Sequence, residues 1–324
     1  MRAATTYRLD GLESDNLLAF LALLGTLRAI ENVSPSLRPC ISWTVDEPPL
    51  RPRLHLAQAL EREALGDTVA CGVEQLAQVY DFGGRTDLNF TPKECRDLLV
   101  AAAQTATPKD RARADLLAAL MHDAAVKDGK DPAIDPTPLC LLFGQGHQHF
   151  LQRLAEVPRM AAPPPRGKGK QTVTMTAAQT IGEALFKSWS RQDPTPSFRW
   201  DPAEDVRYAT MGGDPTDPAF KVGTQHGANR LAAIGLPVLS LSSRSRGGRV
   251  RSVIAAGRRD SRGFFSFGWP IWQEPTNLRG ITALLTHPDL YRQGALAHLG
   301  VVEVQVAQRI SVGKFMNFSR ARPA

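Results

Sequence analysis

A run near the start of the chain, apolar on every side, most constrains what it can fold into. Leu17, Leu18, Phe20, Leu21, Leu23, Leu24, Leu27 and Ile30 follow the capping residues Ser14-Asp15-Asn16, and at these spacings they cover nearly the whole circumference of a helix. Such a helix must be surrounded by neighbours. A chain of 324 residues, 43% hydrophobic and 22% charged, has the material to surround it, and its length suggests one large domain or two ordinary ones, of which two is the expectation. That composition excludes a fibrous or wholly disordered scaffold. The run is interrupted by Gly25 and followed by Arg28 and Glu31, far short of the roughly 20 apolar residues of a membrane span. The opening residues Met1-Arg2-Ala3-Ala4-Thr5-Thr6 do not read as a secretory leader. Cys40, Cys71, Cys95 and Cys140 lie far apart with no Cys-x-x-Cys pair, so the expectation is reduced cysteines in a cytoplasmic protein.

Residues 54–79 and 92–127 also read as helical, the second capped by Thr91 with Pro92 at its first position and divided at Thr107-Pro108. Residues 158–171 combine prolines, glycines and four cations with almost nothing to bury. They are expected to link a helix-rich N-terminal domain, 1–157, to a basic α+β domain, 172–324. The segment is either a bare linker or a mobile arm whose Arg166, Lys168 and Lys170 become ordered on a phosphate backbone. Beyond it, residues 177–189 read as a helix. Residues 238–241, 249–255 and 264–271, and the alternation of Val302, Val304 and Val306, read as strands. The fold class expected is α+β with antiparallel strands in its second half.

Charge is divided unevenly along the chain. Residues 1–157 carry 16 basic and 21 acidic side chains, whereas 158–324 carry 23 basic and 11 acidic. A general solubility bias would not segregate in this way; a protein offering one face to phosphates and another to protein neighbours would. The concentration is greatest at Arg244, Arg246, Arg249, Arg251, Arg258, Arg259 and Arg262, set among serines and glycines with Asp260 as the acid nearby. Arginine forks grip phosphate oxygens in bidentate geometry, and a Gly247-Gly248 tip lets a hairpin lie close to a groove. A basic ribbon on nucleic acid is therefore the expectation, and a solvated hairpin without a partner is the alternative.

Other constellations carry less. Phe264, Phe265, Phe267, Trp269 and Trp272 could stack on bases or simply pack in a core. Cys140, His147 and His149 lack a fourth metal ligand and a standard spacing. Asp201, Glu204, Asp205, Asp214 and Asp217 are the acids that a metal-dependent nuclease would need, but each also stands where a turn or cap favours a carboxylate. Asp81-Phe82-Gly83 matches a kinase tripeptide without the rest of the kinase motifs, and no Walker A or Gly-x-Ser-x-Gly sequence occurs. The reading is a non-enzyme without cofactor or metal. A metal-dependent nuclease and a protein-interaction adaptor are its rivals.

Three stretches add a resemblance. Leu9-Asp10-Gly11-Leu12 leading into Asn16-Leu17-Leu18-Ala19-Phe20-Leu21, then Phe198-Arg199-Trp200-Asp201-Pro202-Ala203-Glu204-Asp205, then Gly227-Ala228-Asn229-Arg230-Leu231 running to Leu236-Pro237, resemble in content and order segments of subunits encoded in type I CRISPR loci, subtype G, formerly U. The resemblance implies a large-subunit-like or accessory component of the surveillance complex (Cascade). Such a component would touch guide RNA or target DNA, the short duplex motif beside the target (PAM), neighbouring CRISPR subunits and the helicase-nuclease recruited later, with no membrane partner. In such complexes base pairing reads the target sequence, while protein reads backbone and the adjacent motif. It also implies a phosphate- or base-contacting role for Asn229 and Arg230; the alternative is that Asn229 caps a helix and Arg230 pairs with Asp201 or Asp205.

Overall fold

The computed structural model describes residues 5–127, 132–142, 149–167, 172–204, 223–246, 248–312 and 315–324. The apolar run forms helix α1 (Leu17–Val33), with 13 of its 17 residues buried. Its cap is Asn16, whose Oδ1 accepts from the Leu18 and Ala19 amides at 2.9 and 3.4 Å. On α1 pack α2 (Arg62–Ala77) and α7 (His226–Gly235), the latter with all ten residues buried, and α6 (Ala177–Phe186) packs on α2 and α7. Helices α3 (Pro92–Thr105), α4 (Ala112–Leu120) and α5 (Phe150–Glu156) lie between α2 and α6 in sequence. The capping box on α3 pairs Thr91 with Glu94 and has Pro92 at the first turn, as the sequence signals require.

Helices α1 and α7 meet backbone to backbone. A Cβ on Gly25 would lie 1.8 Å from the Leu231 carbonyl oxygen, and one on Gly235 would lie 2.0 Å from that of Leu21. Only glycine permits this approach, which joins the first half of the chain to the second. The segment 158–171 therefore does not separate two cores, because one hydrophobic cluster runs from Tyr7 through α1 to Phe318 and Ala321.

The strands form antiparallel sheets. Strands β1 (Thr5–Arg8), β3 (Pro52–Leu56) and β2 (Cys40–Trp43) make a three-stranded sheet in the order β1-β3-β2. It was not anticipated, and β3 occupies residues expected to open a helix. The alternation in Pro52–Leu56, with Leu54 and Leu56 inward and Arg53 and His55 outward, is the period-2 pattern that marks a half-buried strand. In the second half, β6 (Gly257–Arg259), β7 (Phe265–Trp272), β8 (Val301–Val312) and β10 (Arg322–Pro323) are ordered β10-β8-β7-β6, with β9 (Phe315–Phe318) also on β8. Helix α8 (Leu278–Leu285) falls between β7 and β8. Strands β4 (Leu241–Arg246) and β5 (Arg249–Ile254) form a separate two-stranded ribbon. The α+β class is as expected. No helix among the described residues is long and apolar enough to cross a membrane.

Candidate nucleic-acid interface

Ribbon β4–β5 has a register that sets Arg244 opposite Arg251 and Arg246 opposite Arg249. Strand alternation then places the Cα–Cβ vectors of Arg244, Arg249 and Arg251 on one face. Like charges directly across a ladder are unfavourable. The opposite face is held to the body of the protein: Ser252, fully buried, donates its amide to Asp135 Oδ2 at 2.9 Å and its hydroxyl to the Asp135 carbonyl. A partner carboxylate 117 residues away thus fixes the ribbon's orientation. Lys168, Lys170 and the Arg246 side chain lie outside the described residues.

Beneath the ribbon is a cleft of about 1030 Å³ lined by Arg244, Arg249, Arg251, Arg258, Arg259 and Arg309, with Asp135 and Asp260 as its acids. Asp260 Oδ1 accepts from the backbone amides of Arg262 and Phe264 at 2.9 Å each, so that oxygen shapes the β6–β7 turn. The Arg258 guanidinium lies 4.1 Å over the Tyr291 ring. The Arg259 and Arg309 guanidiniums lie 5.7 and 5.6 Å from the centre of the Phe265 ring. Their proximity follows from the sheet: Arg259 pairs with Phe265 between β6 and β7, and Ser266 pairs with Gln308 between β7 and β8. Burial lowers the pKa of both arginines. For Arg259 a nearby Arg251 adds to the lowering, for Arg309 a nearby Arg259 does, and Asp135 opposes the effect in both.

Arg309 and Asp135 were missed in the linear reading. Neither belongs to the arginine cluster by spacing, and only strand pairing and a loop contact bring them to it. Several expected site residues lie elsewhere. Arg166 is not part of a mobile arm: it donates to Asp193 at 2.7 Å and to both Glu183 oxygens at 3.1 and 2.8 Å, with 13% of its side chain exposed. These carboxylates raise its pKa. Arg230 is fully buried inside α7, where its guanidinium donates to the carbonyls of Pro158 (3.2 Å) and Ala161 (2.9 Å). Burial lowers its pKa to about 10. Asn229 is also fully buried within α7, accepting from the Phe198 amide at 3.4 Å and donating to the Gln225 carbonyl at 3.2 Å. In this arrangement neither residue faces a ligand, and neither forms the cap or the Asp201 pair considered as alternatives. The reason is geometric: a helix packed on every side has no solvent face on which to display them.

The aromatic run is core with one exception. Phe265, Phe267, Trp269 and Trp272 are buried, with Trp269 stacked on Phe20 at 5.2 Å and Trp272 edge-on to Trp43 at 6.0 Å; Phe264 alone of the five is exposed. Asp201 is buried, accepting from Asn16 Nδ2 at 3.0 Å and Arg191 Nε at 2.6 Å; it orients the cap of α1. Asp205, Asp214, Asp217 and His147 lie outside the described residues. Cys140 is buried with its thiol pKa raised to about 12 by desolvation, and His149 Nδ1 lies 2.8 Å from Asp87. Among the described residues, no three His, Cys, Asp or Glu side chains are grouped to hold a metal ion.

Fold and site together define an α+β protein bearing an arginine-lined ribbon over a basic cleft. No family model, curated protein or solved structure matches the chain.

Proposed function

We propose that this chain is a non-catalytic nucleic-acid-binding subunit of a type I CRISPR surveillance complex. Its ribbon and cleft contact guide RNA or target DNA in the cytoplasm, and the rest of its surface meets neighbouring subunits. The observation that carries the nucleic-acid reading is the opposed arginine pairs Arg244/Arg251 and Arg246/Arg249 above a cleft lined by six arginines and two aspartates. A site with this excess of positive charge attracts a polyanion, whose condensed counterions are released on binding.

The resemblance supports the assignment to such a complex, and its segments form one packed unit. The Leu18 amide donates to the Trp200 carbonyl at 3.2 Å, Asn16 to Asp201, and the Phe198 amide to Asn229. The stretches that carry the resemblance therefore support a common core, while the binding site is argued from the arginines.

Affinity for a guide-like RNA, a single DNA strand and a DNA duplex at two salt concentrations tests the reading, first with the chain alone and then with its genomic neighbours. Binding is expected to weaken steeply with salt. Replacing Arg244, Arg246, Arg249 and Arg251 together with alanine should weaken it and reduce the slope of log K against log salt by about 3. Parental affinity in that variant would refute the ribbon as the binding element.

A further inference from the structure

The cleft floor differs from the ribbon above it. Arg244 and Arg249 are exposed on the two-stranded ribbon, whereas Arg259 of β6 and Arg309 of β8 are partly buried and flank one fixed ring. Phe265 is itself held edge-on against Phe318, with centroids 6.2 Å apart. Stacking on an aromatic surface fixes the plane of a guanidinium and therefore the directions of its N–H groups. Arg259 NH1 donates to the Gly263 carbonyl at 3.4 Å and Arg309 NH1 to that of Pro138 at 3.2 Å. Arg259 Nε is buried with no hydrogen-bond partner. A guanidinium carries five N–H donors, so most of the donor capacity of this pair is not used by the backbone.

We infer that Arg259 and Arg309, oriented by Phe265 and positioned beside Asp135, form a clamp for one phosphoryl group of a single-stranded nucleic acid. The inference rests on the nucleic-acid reading above and deepens it by assigning the strand form and the phosphate-holding pair. A volume of about 1030 Å³ is that of a large small-molecule pocket. It admits a nucleotide or two of a single strand, whereas a double helix would meet it only through phosphates on its outer surface. Asp135 serves as a positioning residue: its backbone and side chain hold Ser252 of β5, while its negative charge acts on both arginines and offsets their mutual repulsion. The base is not read in this arrangement, since Phe265 is taken up by the guanidiniums. Selectivity is for a flexible phosphate backbone.

The test uses the full chain and a short oligothymidylate, with and without a 5′-phosphate, beside a duplex of the same length. Arg309→Gln and Arg259→Gln should each weaken single-strand binding about tenfold and reduce the salt slope by about 1. Arg309→Lys, which keeps the charge but not the fork, should recover only part of the affinity. A gain on adding the 5′-phosphate would identify a terminal monoester as the clamped group; equal binding would identify an internal diester, and both outcomes agree with the clamp. Ultraviolet crosslinking of the oligothymidylate to the unaltered protein gives a readout that needs no variant. Crosslinks should map to 257–265 and 305–312. If they fell only on 241–251, or if the ribbon quadruple variant lost binding while Arg309→Gln kept it, the clamp would be wrong and the ribbon reading would stand. If neither variant lost binding, both would fail. Duplex binding as tight as single-strand binding, and equally dependent on Arg309, would overturn the choice of a single strand.

Discussion

At Gly25 and Gly235 two helices touch through their backbones, so one added methyl group tests the fold directly. Gly25→Ala should cost about 3 kcal/mol or more, because the new Cβ meets a carbonyl oxygen that cannot rotate away. Gly182, in the interior of α6, has no atom within 4 Å of an added Cβ, so Gly182→Ala should stabilise by about 0.5–1 kcal/mol through helix propensity. Denaturant midpoints of the two variants should move in opposite directions. His226 is a second residue with a clear sign. It is buried, its Nε2 lies 2.7 Å from the Met160 carbonyl, and its Nδ1 has no partner. Desolvation lowers its pKa to about 4; Arg230 and Arg166 also lower it, while the Met160 bond and Asp193 act in the other direction. Above the unfolded value of about 6.5 the ring is neutral in both states and has no effect on stability. As pH falls from there to about 4, the unfolded chain takes up a proton that the folded chain refuses. About 3 kcal/mol of stability is lost across that window and nothing further below it. His226→Gln should flatten this part of the stability profile.

Among elements, the β4–β5 ribbon sets stability against binding. Arg244→Glu would turn a like-charge cross-strand pair into an opposite one, and should raise stability by about 0.2–1 kcal/mol while weakening nucleic-acid binding. Unfolding and binding titrations on the same variant should therefore move in opposite senses; a loss of stability would show that the ribbon face is already neutralised within the protein. The second ribbon strand and the ribbon's arginine content were legible from composition, whereas the first strand, expected at 238–241, begins only at Leu241 because Leu236–Val238 form a 3-10 turn. The ribbon's cleft was not legible, because Arg309 reaches it through the β7–β8 ladder and Asp135 from a loop before the ribbon. The same holds in reverse for Arg166 and Arg230. Each is a cation in a basic half of the chain, and nothing local distinguishes a guanidinium that will meet phosphate from one that will satisfy buried carbonyls or carboxylates.

The described residues share one continuous core, and unfolding should reflect that. Circular dichroism and tryptophan emission should report a single coincident transition, and residues 1–157 expressed alone should not fold, since α1 would lose α7 and the Asp201 carboxylate that orients its cap. Two separated transitions would restore the division at 158–171. That segment reads as a linker because it has few side chains to bury, yet its first residues are fastened through main-chain carbonyls: Pro158 and Ala161 to Arg230, Met160 to His226. Composition reports what side chains can bury and is blind to carbonyls used in this way.

What the sequence by itself determined were features with a local cause: the α1 helix and its Asn16 cap, the capping box on α3, the break at Thr107-Pro108, the antiparallel strands of the second half and the arginine-rich ribbon. Each follows from periodicity, a cap or a turn within a few residues. Tertiary structure alone decided which cations face solvent, which aromatics became core, that the two halves share one interior, and that Arg259, Phe265, Arg309 and Asp135 meet. Those outcomes depend on pairings between residues far apart in the chain, such as Phe20 with Trp269 and Phe265 with Arg309, and burial and strand register are properties of the packed chain that no local window contains.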